Sequence, residues 1–182
     1  MSPASPPELT AGFVRPARAS DADQLARVQV ASWRAGFAGI VPPDLLGELT
    51  SEQAEGVWRD RWREAITNPP TSRHRVLAAV TEAPPRELVG FVSAGPATDA
   101  EIYEFRVAPD RTGQGHGGRL MHAAADTLAG DGFHTVSIWV LEADASLRRF
   151  LEAAGWAADG ARAELDVGLS VPVARLHTAI SE

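Results

Sequence analysis

The segment that most restricts how this chain can fold is Phe105-Arg106-Val107-Ala108-Pro109-Asp110-Arg111-Thr112-Gly113-Gln114-Gly115-His116-Gly117-Gly118-Arg119-Leu120. An apolar strand runs to a proline and a glycine-rich turn, and Leu120, Met121, Ala124 and Leu128 then take helical spacing up to Gly130 and Gly132. A strand, turn and helix start in this order gather unpaired backbone N–H groups at the positive end of a helix dipole, which is an anion site. The glycines allow an anion to approach the backbone closely. Gly113, Gly115 and Gly118 also spell G-x-G-x-x-G, but they do not open a βαβ unit. Asp131 and Glu142 bracket, without fitting, the position about 20 residues further on where an acid would take a ribose hydroxyl, so the dinucleotide reading is disfavoured. All 17 basic residues are arginines, and a chain without lysine has neither a P-loop nor a lysine Schiff base.

The remaining punctuation predicts one domain over residues 12–182 after a Pro- and Ser-rich, disordered tail over 1–11. Phe13 to Ala17 reads as an edge strand limited by Pro16. A helix capped at Ser20-Asp21 runs to about Phe37, Gly39 to Pro43 break it, and a second helix spans about Ser51 to Thr67. Arg75–Thr81 and Leu88–Ser93 form a hairpin, followed by a strand from Ile102 to Val107. In that strand Ile102, Phe105 and Val107 are spaced three and then two, which predicts a β-bulge near Tyr103-Glu104. His134–Val140 is a strand, Asp144 caps a helix carrying Leu147, Phe150, Leu151 and Ala154, and Val171–Ile180 is a last strand. The expected architecture is α/β (α+β), a mixed, mostly antiparallel central sheet of about six to seven strands flanked by about four helices.

Composition excludes several functions. With no cysteine there are no disulfides, thiolate metal sites or cysteine nucleophiles, and the five histidines lack ligand spacing, so no metal is expected. A net charge of −7 without a basic stripe argues against nucleic acid, and no apolar run reaches membrane-span length. The first residues lack a signal peptide's basic and apolar regions, so a cytoplasmic protein is expected.

The segment from Phe105 to Leu120 resembles the acyl-CoA motif of the GNAT superfamily of N-acetyltransferases. The stretch Ser137 to Trp156, with Phe150-Leu151-Glu152 before Gly155-Trp156, is similar to that family's next strand and helix. Val14 to Asp23 resembles the family's entry, and Trp33 to Pro42 is similar to a segment of many bacterial members, so the resemblance spans about residues 13 to 180. It implies the GNAT fold and acetyl-CoA as cosubstrate, with an amine-bearing acceptor and a homodimer. It gives Phe105, Arg106 and Val107 the pantetheine arm. In the turn that starts at Gly113, the residues Gln114, Gly115, His116, Gly117 and Gly118 take the phosphates, and Arg111 beside Thr112 stands in for the contact of the family's Gln or Arg. Asp144 stands where the family often has asparagine, and Trp33 and Phe37 either floor the acceptor pocket or belong to the core.

Acetyl transfer to an amine requires a neutral amine, stabilisation of charge on the carbonyl oxygen and a proton for the departing thiolate. Glu101, matched to a catalytic glutamate of the histone-modifying branch, and Glu104 beside the bulge are the candidate bases. Two positions depart from the family. Thr112 replaces its Gln or Arg, and Leu151 stands where many members carry the tyrosine that serves the sulfur. Tyr103, the chain's single tyrosine, or water is then the proton donor. The expected activity is transfer of an acetyl group to a primary amine of a small molecule or peptide. The alternative is a catalytically weak acyl-CoA-binding or sensing protein on the same fold.

Overall fold

The computed structural model describes residues 11–181, so all of the expected tail except Ala11 lies outside the described residues. A seven-stranded sheet is built from β1 (Gly12–Pro16), β2 (Arg75–Thr81), β3 (Leu88–Pro96), β4 (Ala100–Val107), β5 (Thr135–Leu141), β6 (Ala157–Asp166) and β7 (Ser170–Ala179). Five α-helices accompany it: α1 (Ala22–Gly36), α2 (Pro43–Leu49), α3 (Glu52–Thr67), α4 (His116–Gly130) and α5 (Ala145–Ala153). The strand order is β1-β2-β3-β4-β5-β7-β6, and only β4 and β5 pair in parallel. This is the expected mixed, mostly antiparallel sheet with β1 at an edge. Among the described residues five helices flank it, one more than the approximate number expected.

Two cores sandwich the sheet. Ile102, Phe105, Val136, Ile138 and Leu176 from the strands meet Leu120, Met121, Ala124 and Leu128 of α4 and Leu151 of α5 on one side. On the other, Ala78, Val80, Leu88 and Phe91 pack against Leu25, Ala26 and Val28 of α1 and Trp62 of α3. Leu120, Leu128, Leu151 and Phe91 have at most 1% of their surface exposed, and each contributes about 1.5–3 kcal/mol by burial. Trp62 Nε1 donates to Gln29 Oε1 at 2.5 Å, so the polar atoms of α1 and α3 in this core meet each other.

Ion pairs fix the element ends. Arg15 donates twice to the Asp21 carboxylate, at 2.7 and 3.0 Å, and the Arg18 amide donates to the same group at 2.7 Å, tying β1 to the start of α1. Arg75 forms a similar fork with Asp131, at 3.0 and 2.6 Å, joining β2 to the end of α4.

Two elements depart from the expectation. The break read at Gly39 to Pro43 leads into a further helix, α2, because Pro43 occupies a first-turn position where its ring fixes a helical φ and its missing N–H costs nothing. The segment after Trp156 forms β6, a ten-residue edge strand exposed along most of its length. The register shift between Ala158 and Arg162, with Gly160 at φ +85°, breaks its alternation.

Candidate active site

The site opens where the sheet divides. β4 pairs with β5 from Ala100–Val136 to Ile102–Ile138 and no further, while its other edge stays paired with β3 as far as Val107–Gly90. Beyond Ile102, the β5-facing edge of Tyr103 to Val107 is therefore left out of the ladder. The bulge falls as the spacing predicts: Ser93 pairs with Glu104 and Ala94 with Ile102, leaving Tyr103 as the extra residue. The bulge sends Ile102 and Phe105 to the α4 core and Glu101, Glu104 and Arg106 to the opposite face.

On one side of this split lies a groove of about 400 Å³ at the start of α4. Its lining includes Phe105, Arg106, Val107, Arg111, Thr112, Gly113, Gly115, Gly117, Gly118 and Asp144, together with Ser32, Gly36, Leu147 and Phe150. Gly113 at φ +73° and Gly115 at φ +89° take left-handed conformations that only glycine adopts at no steric cost, and they aim the turn into the helix. The Arg119 amide reaches back to the Gly115 carbonyl, so the amides of the first turn lie outside the helix ladder. No acidic residue stands in that turn. A β-carbon at Gly117 would lie 3.3 Å from Phe105 and 3.4 Å from Phe150, whose stacked rings are 5.6 Å apart and form the apolar wall. A β-carbon at Gly118 would meet nothing within 4 Å and would project into the groove. A diphosphate against bare backbone and a slender arm along the free edge of β4 both fit these surfaces.

Four of the expected phosphate-site side chains are engaged elsewhere. The His116 side chain is 1% exposed and turns inward, with Nδ1 3.0 Å from Arg119 Nη2 and its ring against Gly12. Burial, reinforced by Arg119 and Arg111, lowers its pKa, so only its backbone N–H suits an anion. Arg111 lines the groove while paired with Glu87 at 2.5 Å, and Thr112 Oγ1 donates to the Pro109 carbonyl. Gln114 donates to the Asp110 carbonyl at 3.3 Å and lies outside the lining.

On the other side is a cleft of about 390 Å³, sharing Phe105, Arg106, Asp144 and Leu147 with the groove. Phe37, Tyr103 and Glu104 line it, as do Ile138 to Leu141, Ala163 to Leu165 and Val173. Arg106 stands where the two meet, bonded to Glu104 and lying 5.2 Å over the Phe37 ring. Trp33 supports Phe37 from behind, stacked at 5.8 Å and edge-on to Trp58 at 5.1 Å. Phe37 is thus a wall of the cleft and Trp33 its backing. Asp144 Oδ1 accepts from the Leu147 amide at 3.0 Å and caps α5. Across the outer rim, the turn after β6 rests on α2, since a β-carbon at Gly168 would lie 3.1 Å from Leu45.

Glu101 lies on the same face of β4 as Glu104, three residues before it, and lines neither the cleft nor the groove. Burial raises its pKa against the opposing pull of Arg175 and the Trp139 indole. Tyr103 donates its hydroxyl to the Pro96 carbonyl at 2.6 Å and stacks on His74. Burial and the Glu101 charge raise its pKa and keep its proton in place. Leu151, 0% exposed, puts no polar group near the split. The cleft walls from β5, β6 and β7 went unread in the sequence, although outward Trp139 and Leu141 alternating with core Ile138 and Val140 gave a signal for part of them. Among the described residues no group of three or more His, Cys, Asp or Glu could hold a metal, and no helix is long and apolar enough to cross a membrane.

Comparison with known proteins agrees with this geometry. Residues 44–156 match the acetyltransferase (GNAT) family. The uncharacterized N-acetyltransferase YuaI of Bacillus subtilis is 31% identical over 140 residues, 74% of each chain. The PaiA N-acetyltransferase of Thermoplasma acidophilum, solved in complex with coenzyme A, superimposes with a TM-score of 0.71 at 18% identity, covering 93% of this chain and 99% of that one. A phosphinothricin acetyltransferase from Sinorhizobium meliloti, solved with acetyl-CoA, gives 0.69 at 17% identity, covering 94% and 90%. The chain belongs to the GNAT family of acetyltransferases, enzymes that take acetyl-CoA as cosubstrate.

Proposed function

We propose that this protein moves the acetyl group of acetyl-CoA to a primary amine of a small molecule or peptide by direct attack in a ternary complex. The observation that carries this reading is the continuity of the two spaces. The groove at α4 and the cleft beyond the split strands share Phe105, Arg106, Asp144 and Leu147, so a thioester held by one faces an amine held by the other.

The turn of Gly113 to Gly118 takes the diphosphate through backbone amides, and the free edge of Phe105 to Val107 pairs with the pantetheine arm. The neutral amine attacks the carbonyl carbon, a C–N bond forms and the C–S bond breaks. Backbone N–H groups released from the ladder at the bulge face the charge that develops on the carbonyl oxygen. Glu101 takes the amine proton through water. Burial raises its basicity toward that task, whereas Glu104 is held by Arg106. With Leu151 in the core and the Tyr103 hydroxyl bonded to Pro96, the thiolate takes its proton from solvent. The products are the acetamide and coenzyme A.

Acetyl-CoA and the amine are the partners, with no nucleic acid or membrane, in a cytoplasmic protein. The net charge of −7 supports the exclusion of nucleic acid. Homodimer formation follows from the family resemblance and is tested by light scattering on the eluting protein.

The test is thiol release from acetyl-CoA over a panel of primary amines, with wild type, Glu101→Gln, Glu104→Gln and Tyr103→Phe. At least one amine should be acetylated, and Glu101→Gln should lose roughly 10²–10⁴-fold in rate. The buried Leu151 favours one second reading, an acyl-CoA-binding protein with weak chemistry. Coenzyme A binding with no acetylation of any amine would establish it instead.

A further inference from the structure

Glu101 does not stand alone on its face of the sheet. It is opposite Ser137 on β5, and Ser137 is opposite His177 on β7. One row further along, Trp139 is opposite Arg175. The Arg175 guanidinium lies 5.6 Å from the Trp139 ring centroid and donates to Asp159 of β6 at 2.7 Å. The far end of Arg175 is therefore anchored twice, by an aromatic face and by a carboxylate. Core packing of Val136, Ile138 and Val140 on the α4 side fixes which way these side chains project.

We propose that Trp139 and Arg175 are positioning residues for the base: from the next row on the same face of the sheet, the Trp139 indole and the Arg175 guanidinium anchored over it set the surroundings that keep the Glu101 carboxylate beside the bulge, ready to take the amine proton. The inference rests on Glu101 serving as the base. None of these partners touches the reacting atoms; they act through Glu101.

Electrostatics gives the sign. Burial raises the Glu101 pKa, while Arg175 and the Trp139 N–H lower it, so removing either partner moves Glu101 further up. The other titratable and charged groups on this face include Tyr103 and the Glu104–Arg106 pair on β4, His177 on β7 and Asp159 on β6, with His74 stacked on Tyr103.

The experiment is a ¹³C titration of the glutamate carboxyl carbons in the full chain, with Glu101 assigned from Glu101→Gln. It requires no acceptor. The Glu101 midpoint should rise in Arg175→Gln and in Trp139→Phe, return toward the wild-type value in Arg175→Lys, and stay in place in His177→Gln. An unchanged midpoint in both Arg175→Gln and Trp139→Phe overturns the inference. The acid limb of kcat/KM, measured on an acetylated amine, separates this inference from the reading beneath it. If the limb follows the carboxyl midpoint, both stand. If the midpoint moves and the limb does not, Glu101 is not the base and its positioning for catalysis falls with it.

Discussion

Gly118→Ala should move stability and cofactor binding in opposite directions. Gly118 is the third residue of α4, has no positive φ, and a β-carbon there meets no atom within 4 Å. Alanine at a helical position with free space loses less conformational entropy on folding, so stability should rise by about 0.5–1 kcal/mol. For a domain of this size that is a Tm increase of roughly 2–4 °C. The same methyl group adds to the lining of the groove, where the proposed diphosphate would meet the first-turn amides. Charge-assisted hydrogen bonds are worth about 1.5–3 kcal/mol each, so lengthening one raises the Kd for coenzyme A roughly tenfold to a hundredfold. Differential scanning calorimetry without ligand and isothermal titration with coenzyme A read the two effects separately. A variant that binds coenzyme A as tightly as wild type would refute the placement of the diphosphate. One that melts well below wild type would refute the description of the helix start.

Gly115→Ala, at φ +89°, should instead cost about 1–2 kcal/mol from backbone strain, measured by denaturant unfolding. Leu151→Tyr should destabilise by about 1–3 kcal/mol through overpacking and a buried hydroxyl, and should leave kcat no higher, because the side chain points into the core. Asp21→Asn should lose about 2–3 kcal/mol by breaking the fork with Arg15. The Arg15 hydrogen bond, followed by the Arg18 amide, lowers the Asp21 pKa. Its contribution is therefore fully present above the ordinary carboxylate range and is lost as pH falls through the lowered folded-state value. Thermal melts from neutral to acidic pH should show a smaller decline in Asp21→Asn than in wild type.

The parts of this molecule that were legible in the sequence obey local rules. The glycine turn into α4 was readable because positive φ and a bare helix start demand glycine there. The bulge at Tyr103 followed from apolar spacing in β4, and the Asp144 cap from side-chain chemistry at a helix start. What could not be read depends on tertiary context. Pro43 reads equally as a helix breaker or a first-turn residue, and the chain decides by where α2 docks. β6 shows no alternation, because an exposed edge strand interrupted at Gly160 has no buried face to pattern it. The inward turn of His116 depends on Gly12 and Arg119, and Gly12 lies over a hundred residues away. The cleft wall joins Trp139, Leu165 and Val173 from three strands, a juxtaposition that strand order creates and no single motif encodes. Thr112 and Leu151 break the family pattern without closing the groove: the Thr112 hydroxyl turns to the Pro109 carbonyl, and Leu151 packs in the core.

The most direct test of the account is an isothermal titration of the purified protein with acetyl-CoA. The account predicts saturable binding, one acetyl-CoA per chain, weakened by Gly118→Ala and unaffected by His122→Gln on the exposed side of α4. No heat of binding at millimolar acetyl-CoA would contradict it.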